Sequence, residues 1–150
     1  IGTKIIGARV LDLFAGTGNL GLEAWSRGAA AVTFIDESRE SLRLVQSNIS
    51  KCHAEDDVQV IKGSAVKVIE SLHRQDAGFD FAFCDPPYNK GWVQKVLLKL
   101  ELFPVLDDGG YLIVEHAKHD EIGSLAACFE LVRQETYGET LLSFIRFAKV

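Results

Sequence analysis

The chain has 150 residues, of which 47% are hydrophobic and 25% are charged, and its formal net charge is −5. This length and composition predict a single globular domain, residues 1–150, and exclude a disordered chain. No apolar run is long enough to span a bilayer, so we expect no membrane partner. The acidic balance argues against nucleic acid as the sole partner unless a local basic patch exists.

The cysteines Cys52, Cys84 and Cys128 show no CxxC spacing, and three of them cannot all pair. We therefore predict thiols in a reducing cytosol and a cytoplasmic protein. The chain opens with Ile1 rather than methionine, and the first core strand follows almost at once. We expect from this that a native N-terminal segment is missing.

Hydrophobic periodicity and glycine or proline breaks predict five alternating strand and helix units followed by a hairpin. The predicted strands are 9–14, 31–35, 58–61, 79–84, 111–114, 129–135 and 141–148. The predicted helices are 19–27, 39–52 after an N-cap at Ser38, 65–74 and 92–102, with a turn at 106–110 and a loop with some helix at 116–124. This order predicts an α/β fold with a doubly wound, mostly parallel sheet that ends in an antiparallel β-hairpin.

The segment from Val10 to Gly21, VLDLFAGTGNLG, is the most informative stretch. Its pattern indicates a buried strand that breaks into a turn, Gly16-x-Gly18-x-x-Gly21, and then into a helix. Glycine in such a turn allows positive φ and close approach of a ligand, and the helix directs unpaired N–H groups at that ligand. Alone, the pattern fits any nucleotide-binding βαβ unit.

Two carboxylates, Asp12 and Asp36, are candidate ligand contacts next to this turn. Asp12 lies inside an otherwise apolar strand, where a charge is costly to bury unless it is paired or faces a ligand. It either accepts hydrogen bonds from the backbone of the turn or contacts the ligand, and the two roles are compatible. Asp36 ends the second strand roughly 20 residues after Gly16, where it can accept hydrogen bonds from both hydroxyls of a ribose. The alternative is a charge favoured by the dipole of the following helix, and Glu37 is a second candidate for the ribose.

Ser64 and Ala65 follow the third strand. A hydroxyl or a backbone N–H here can reach the edge of an adenine, although a helix N-cap is the simpler interpretation of the serine. Ligands of doubly wound sheets bind at the carboxyl ends of the strands, near the point where the winding reverses. The residues after the first four strands, at 14–16, 36, 64 and 85, are therefore expected to meet at one rim.

The tetrapeptide Asp85-Pro86-Pro87-Tyr88 ends the fourth strand, and its prolines forbid continuation of the ladder. A structural turn gains nothing from two prolines and a tyrosine, whereas methylation of a planar exocyclic amine needs such groups. The Asp85 carboxylate and the Pro86 carbonyl can accept the two N–H groups of the amine and draw its lone pair out of the ring. Tyr88 can stack on the base, and positioning of the methyl donor then supplies much of the rate.

The remaining polar candidates favour structural roles. His116 and His119 have a spacing compatible with a metal, but without further ligands we expect solvated loop histidines and no metal site. Glu115 ends the fifth strand on the same rim and either contacts substrate or pairs with a loop N–H. Cys84 is expected to be an inert buried thiol. Side chains expected in the core include Leu20, Leu22, Ala24, Trp25 and Trp92.

Three stretches carry a resemblance to a known family: LDLFAGTGNLGLEA at 11–24, FIDES at 34–38 and CDPPY at 84–88. Together they resemble class I methyltransferases that use S-adenosylmethionine, and most of all the bacterial RsmD family, which methylates the N2 amine of one guanine in small-subunit ribosomal RNA. The resemblance covers nearly the whole chain, including VEH at 114–116. Its glycine and Asp-Pro-Pro-Tyr motifs are specific for the superfamily and for an exocyclic amine as the target. The assignment to the N2 amine of guanine rests instead on the general run of the sequence.

The resemblance implies roles for the matched residues. It places the methionine moiety over 12–18, the ribose hydroxyls on Asp36 and the target amine at 85–88. The implied cofactor-binding residues are Asp12, Phe14, Ala15, Gly16, Gly18, Asn19, Asp36, Glu37, Ser64, Ala65 and Asp85. The implied catalytic residues are Asp85, Pro86, Pro87 and Tyr88. Family members usually carry an acidic residue where this chain has Ser64, so the contact to the adenine amine is expected to be lost or made by the backbone.

The favoured interpretation is an RNA guanine-N2 methyltransferase that uses S-adenosylmethionine. We expect it to act as a monomer on ribosomal RNA, within the small subunit or its assembly intermediate. An N6-adenine nucleic-acid methyltransferase is the nearest alternative, because the same tetrapeptide serves both amines. An NAD-dependent oxidoreductase also suits the glycine pattern, but the tetrapeptide has no purpose there. A cofactor-binding module without catalysis is the third alternative.

Overall fold

The computed structural model describes residues 2–87 and 91–149. Within these residues the strands are β1 Arg9–Asp12, β2 Ala31–Asp36, β3 Val58–Lys62, β4 Phe79–Cys84, β5 Leu106–Ala117, β6 Phe129–Tyr137 and β7 Thr140–Phe147. The helices are α1 Asn19–Ser26, α2 Arg39–Cys52, α3 Ala65–Arg74 and α4 Trp92–Leu102, and 3₁₀ helices span Gly2–Ile5 and Glu55–Asp57. No helix of the described residues is long and apolar enough to cross a membrane.

The strands form one sheet in the order β3-β2-β1-β4-β5-β7-β6. Strands β1 to β5 pair in parallel, whereas β7 pairs antiparallel with both β5 and β6. The chain moves outward from β1 to β3 and then crosses back to place β4 on the other side of β1. The predicted doubly wound sheet with a terminal antiparallel hairpin is confirmed, and its winding reverses between β1 and β4.

The register places the carboxyl ends of the central strands side by side. Asp12, the last residue of β1, pairs with Phe34 in β2 and with Phe83 in β4. Asp36, the last residue of β2, pairs with Lys62 at the end of β3. The segments that leave these strands therefore emerge at the same edge of the sheet, next to the reversal point.

Helices cover the sheet from both sides, so the central strands carry buried apolar side chains on both faces. Neighbouring β1 residues Val10 and Leu11 belong to opposite faces, as strand alternation requires. The Val10 face packs against α1 and α2 through Leu22, Val45 and Ile49. The Leu11 face packs against α3 and α4 through Val68, Ile69, Leu72, Val96 and Leu100.

Strand β5 is longer than predicted at both ends. The predicted turn at 106–110 is wrong, because Leu106 already pairs with Phe79 and a register shift follows in β4. Gly109 takes a φ of 84° and lets the strand pass through this irregularity without leaving the sheet. At the other end, β7 pairs with β5 as far as Ala117, and the described loop beyond it contains no helix. The other predicted boundaries agree within two residues.

Helix α1 buries Leu22 and Ala24 as predicted, but the prediction for Leu20 is wrong. Leu20 is 41% exposed, whereas Gly21, Leu22 and Ala24 are buried. A Cβ on Gly21 would lie 2.8 Å from Val32 Cγ1, so the missing side chain lets the helix pack directly on β2. This close approach fixes the rotation of α1 and turns Leu20 outward.

Candidate active site

A cleft of about 420 Å³ opens at the carboxyl ends of β1 to β4. Its walls come from segments that are distant in sequence but follow neighbouring strands. The lining residues are Leu13, Phe14, Gly16, Asp36, Glu37, Gly63, Ala65, Asp85, Pro86, Pro87 and Trp92. The residues that follow the first four strands thus meet at one rim, as the doubly wound topology predicts.

Most, but not all, of the predicted site residues line this cleft. Those that do are Phe14, Gly16, Asp36, Glu37, Ala65, Asp85, Pro86 and Pro87. Of the others, Asp12 and Ala15 are buried beneath it, Gly18 and Asn19 begin α1, and Ser64 precedes α3. Tyr88 lies outside the described residues.

Asp36, at the end of β2, is hydrogen-bonded to the glycine turn. The backbone N–H of Gly16 donates to Asp36 Oδ2 at 2.9 Å, and the N–H of Ser38 donates to Asp36 Oδ1 at 2.9 Å. A carboxylate has about four lone-pair positions, so each oxygen keeps capacity for a further donor. Asp36 therefore holds the turn and the entry to α2 together and still has acceptor sites to offer a ligand in the cleft.

The glycine turn needs the backbone freedom that its sequence supplies. Gly16 has a φ of 57° and Gly18 a φ of 86°, both in the left-handed region. A Cβ at Gly16 would meet no protein atom within 4 Å, so the backbone there faces open space in the cleft wall. The N–H of Gly18 donates to the carbonyl of Ala15 at 2.7 Å, and the Asn48 side chain donates to the carbonyl of Thr17 at 2.8 Å.

Asp12 is 1% exposed, and neither of its carboxylate oxygens accepts a hydrogen bond of normal geometry. Burial raises the pKa of Asp12 to about 7, and the nearby backbone N–H groups of Gly21 and Phe14 lower that pKa only in part. Asp12 does not line the cleft, and both of its predicted roles stay predictions. The structure places an unpaired carboxyl group just below the glycine turn.

The Asp-Pro-Pro corner leaves the sheet after buried Cys84, whose thiol is unpaired as predicted. Its residues Asp85, Pro86 and Pro87 line both the cleft and a second cavity of about 100 Å³. Burial, reinforced by the neighbouring Glu115 carboxylate, raises the pKa of Asp85 to about 6. The corner is thus a wall shared by two cavities.

The adenine-edge candidate Ser64 caps α3, because its Oγ accepts the backbone N–H of Lys67 at 3.4 Å. The simpler interpretation of this residue is therefore observed. Ala65 and Gly63, on either side of it, line the cleft instead.

Trp92 lines the cleft, although the sequence assigned it to the core. It is the first residue of α4 and is partly exposed, and its ring lies 5.7 Å from that of Phe14 in an edge-to-face arrangement. The Lys95 Nζ lies 4.9 Å from the Trp92 ring centroid. Its position shortly after the Asp-Pro-Pro corner was a usable signal, since a helix that starts there starts at the same rim.

His116 is 7% exposed rather than solvated, so that prediction is wrong. It lies within β5, because β7 pairs with this part of the strand. Its Nε2 is 2.7 Å from Ser143 Oγ, and its Nδ1 is 2.8 Å from the carbonyl oxygen of Asp120. His119 is exposed, and in the described part of the chain no group of three or more His, Cys, Asp or Glu side chains is placed to hold a metal ion.

Comparison with known proteins places the chain among bacterial relatives. The family model described as "Conserved hypothetical protein 95" matches residues 1–146. The Bacillus subtilis (strain 168) protein YlbH is 32% identical over 140 residues, covering 93% of this chain and 76% of the relative. The "Ribosomal RNA small subunit methyltransferase D" of Escherichia coli (strain K12) is 30% identical over 135 residues, covering 90% of this chain and 66% of the relative.

A solved structure agrees with this similarity over most of the fold. The Escherichia coli protein yhhF superposes with a TM-score of 0.86 at 28% identity, and the match covers 97% of this chain and 80% of that one.

Proposed function

Because the chain belongs to the family described as Conserved hypothetical protein 95, we propose that it transfers a methyl group from S-adenosylmethionine to the N2 amine of a guanine in small-subunit ribosomal RNA. Family membership confirms the RsmD-type resemblance that the motifs predicted. One observation carries the proposal: Asp85 and its two prolines form a wall common to the cleft at the glycine turn and to a second cavity. A methyl donor bound in the cleft and a target base bound in the second cavity would meet at this corner.

The charge of the cleft favours S-adenosylmethionine. This molecule carries positive charge on its sulfonium and ammonium groups and offers two ribose hydroxyls as donors. Three carboxylates line the cleft, Asp36, Glu37 and Asp85, and no described lining residue carries a basic side chain. The unpaired, buried Asp12 below the turn adds a further acceptor that a nearby cation would stabilise. The residues present therefore fit the cofactor.

The same charge argues against an NAD-dependent oxidoreductase. A pyrophosphate needs backbone N–H groups and benefits from basic side chains, and negative side chains repel it. The N–H of Gly16, which a pyrophosphate would use, is already committed to Asp36. Isothermal titration calorimetry with each cofactor separates these classes: we expect binding of S-adenosylmethionine and no measurable binding of NAD, and the reverse result would favour the oxidoreductase.

Each lining segment has a proposed role towards the cofactor. Asp36 accepts the ribose hydroxyls with the acceptor sites that its two backbone bonds leave over, and Glu37 is the second candidate. The turn at 12–18 holds the methionine moiety, and Asn19 begins the helix behind it. Ala65 and the backbone of Ser64 approach the adenine. Trp92 adds an aromatic wall that the sequence did not reveal.

The corner at 85–88 is proposed to hold the acceptor amine. Asp85 and the Pro86 carbonyl accept its two N–H groups, which reduces delocalisation of the nitrogen lone pair into the ring. Pro87 fixes the backbone, and Tyr88 stacks on the base. S-adenosylmethionine supplies the methyl group, whose carbon–sulfur bond breaks, leaving its electron pair on sulfur, as the N2 lone pair forms the new nitrogen–carbon bond. The proton then leaves the cationic amine for water or for Asp85, so no strong base is needed.

Ribosomal RNA is the proposed partner, within the small subunit or an assembly intermediate. The name of the Escherichia coli relative supports this choice, and the chain spans 66% of that relative's length. We propose that the protein acts as a monomer, because one chain supplies both walls of the site.

Methylation of isolated small-subunit particles tests the proposal. Particles from a strain that lacks this modification are incubated with the protein and isotopically labelled S-adenosylmethionine, and their nucleosides are then identified by mass spectrometry. We expect labelled N2-methylguanosine. Labelled N6-methyladenosine would instead favour an adenine methyltransferase, and binding of the cofactor without any labelled nucleoside would favour a module without catalysis.

A further inference from the structure

The second cavity shares the Asp-Pro-Pro corner with the cleft at the glycine turn. Its walls combine Pro86, Pro87 and Val93 with the polar residues Asp85 and Glu115, and Thr140 of the terminal hairpin closes one side. None of the described residues that line it is a lysine or an arginine. A ligand that enters this cavity therefore meets the carboxylates of Asp85, Glu115 and Asp120 together with the apolar surface of the prolines and Val93.

The Asp85 and Glu115 carboxyl groups stand close together at this wall. Both residues line the same cavity, and the Glu115 carboxylate helps to raise the pKa of the Asp85 carboxyl. Two ionised carboxylates repel each other unless a donor lies between them. A ligand with two adjacent N–H donors would relieve that repulsion and pair both groups.

The donor pattern of a base edge differs between the two purines. Guanine presents N1–H and the N2 amine side by side, so that both positions donate. Adenine presents its N6 amine beside N1, which is an acceptor. An ionised carboxylate opposite N1 is therefore favourable for guanine and repulsive for adenine.

We propose that Glu115 accepts the N1–H of the target guanine while Asp85 accepts one N–H of its N2 amine, and that Glu115 thereby selects guanine against adenine. The inference rests on the proposed function and supplies what that function lacks, a residue that chooses the base. It makes Glu115 a specificity residue and leaves the transfer step to the corner.

Glu115 is held firmly enough for this task. It pairs with Leu142 in β7, so its backbone belongs to the continuous ladder between β5 and β7. The next residue, His116, is buried and connects Ser143 in β7 with the loop at Asp120. A carboxylate on such a rigid strand discriminates between base edges better than one on a mobile loop.

The test uses 2-aminopurine in place of the target guanine in the RNA. This analogue keeps the amine at position 2 but has a lone pair instead of a hydrogen at N1 and lacks the oxygen at position 6, so the Glu115→Gln variant is needed to isolate the N1 contact. For the unmodified protein we expect kcat/KM for methyl transfer to be lower with 2-aminopurine than with guanine on the order of tenfold or more, as for loss of one specific base contact. In Glu115→Gln the amide can donate to the N1 lone pair, so this discrimination should fall on the order of tenfold.

A binding measurement gives a second readout that needs no methyl donor. The fluorescence of 2-aminopurine rises when the base leaves the stack, so it reports entry into the cavity. We expect Glu115→Gln to bind the 2-aminopurine RNA more tightly than the unmodified protein does. Glu130→Gln, an exposed position on β6 outside the cavity, is the matched control and should change neither measurement.

These measurements distinguish a failure of the role of Glu115 from a failure of the proposed function. Equal methylation of guanine and 2-aminopurine by the unmodified protein overturns the role of Glu115 without any variant and leaves the proposed function standing. Unchanged discrimination in a folded Glu115→Gln variant does the same. No methylation of guanine RNA by the unmodified protein removes the proposed function itself, and the role of Glu115 falls with it.

Discussion

The backbone N–H of Gly16 donates a hydrogen bond of 2.9 Å to Asp36 Oδ2, which joins the glycine turn after β1 to the end of β2. One carboxylate thus shapes the turn and, through its remaining acceptor sites, is available to a ligand in the cleft. The two residues that a nucleotide-binding pattern predicts separately are therefore a single structural unit.

Removal of the Asp36 carboxylate is expected to weaken cofactor binding. Asp36→Ala should raise the Kd for S-adenosylmethionine about tenfold or more, because hydrogen bonds to a charged group contribute about 1.5–3 kcal/mol and the turn loses its tie as well. Asp36→Asn keeps one oxygen, so its Kd should lie between that of the unmodified protein and that of Asp36→Ala. Isothermal titration calorimetry measures the affinities.

The control for this change is Glu40→Ala, which removes an exposed carboxylate from the first turn of α2 outside the cleft. Its Kd should stay at that of the unmodified protein. An Asp36→Ala variant that is folded and binds the cofactor with unchanged affinity would remove Asp36 from the binding site.

The contact between α1 and β2 leaves no room for a side chain at Gly21. Gly21→Ala would bring a methyl group to about 2.8 Å from Val32 Cγ1, with the Phe34 ring also in its way. We expect the variant to lose about 1–3 kcal/mol of unfolding free energy, as overpacked cores do. Urea denaturation followed by circular dichroism gives the value.

Leu20→Ala on the same helix serves as the comparison. Leu20 is 41% exposed, so its truncation should cost no more than about 0.5 kcal/mol. A large loss at Leu20 together with a small loss at Gly21 would mean that α1 is rotated towards the face that the sequence suggested.

Asp12 should make folding stability depend on pH. Burial raises its pKa from 3.8 to about 7, so between these values the folded protein binds a proton that the unfolded chain has released. The contribution of Asp12 to the free energy of unfolding is therefore fully present below about pH 4. It is lost as the pH rises through 7, and the total loss is roughly 4 kcal/mol. In Asp12→Asn this contribution is absent, and unfolding free energies at about pH 4 and pH 7.5 should differ less than in the unmodified protein. Equal pH dependence in both proteins would show that Asp12 does not titrate in this range.

Local patterns were enough to predict much of the fold. The alternation of strands and helices follows from hydrophobic periodicity, and α3 and α4 have the predicted bounds because Ser64 and the proline corner mark their starts clearly. The cleft was predictable as well, since topology alone brings the segments after Asp12, Asp36 and Cys84 to one edge of the sheet.

The errors arise where tertiary pairing overrides local signals. Leu106 looks like the start of a turn, but its pairing with Phe79 draws it into β5. His116 has the polarity of a loop residue, yet pairing of β5 with β7 buries it against Ser143. Trp92 has the composition of a core residue, and only the position of the corner before it places its ring in the cleft wall.

Asp85 lies on the wall shared by the two cavities, so its substitution separates donor binding from transfer. The most direct measurement is the rate of methyl transfer to small-subunit particles by Asp85→Ala, together with its calorimetric Kd for S-adenosylmethionine, with Asp85→Asn as the variant that keeps an acceptor oxygen. We predict that Asp85→Ala lowers the rate on the order of 10²–10³-fold, as loss of a preorganised polar group does in other enzymes, while the Kd changes much less. Comparable losses of transfer and of cofactor affinity, or transfer at the unmodified rate, would contradict the role of this corner as the acceptor site.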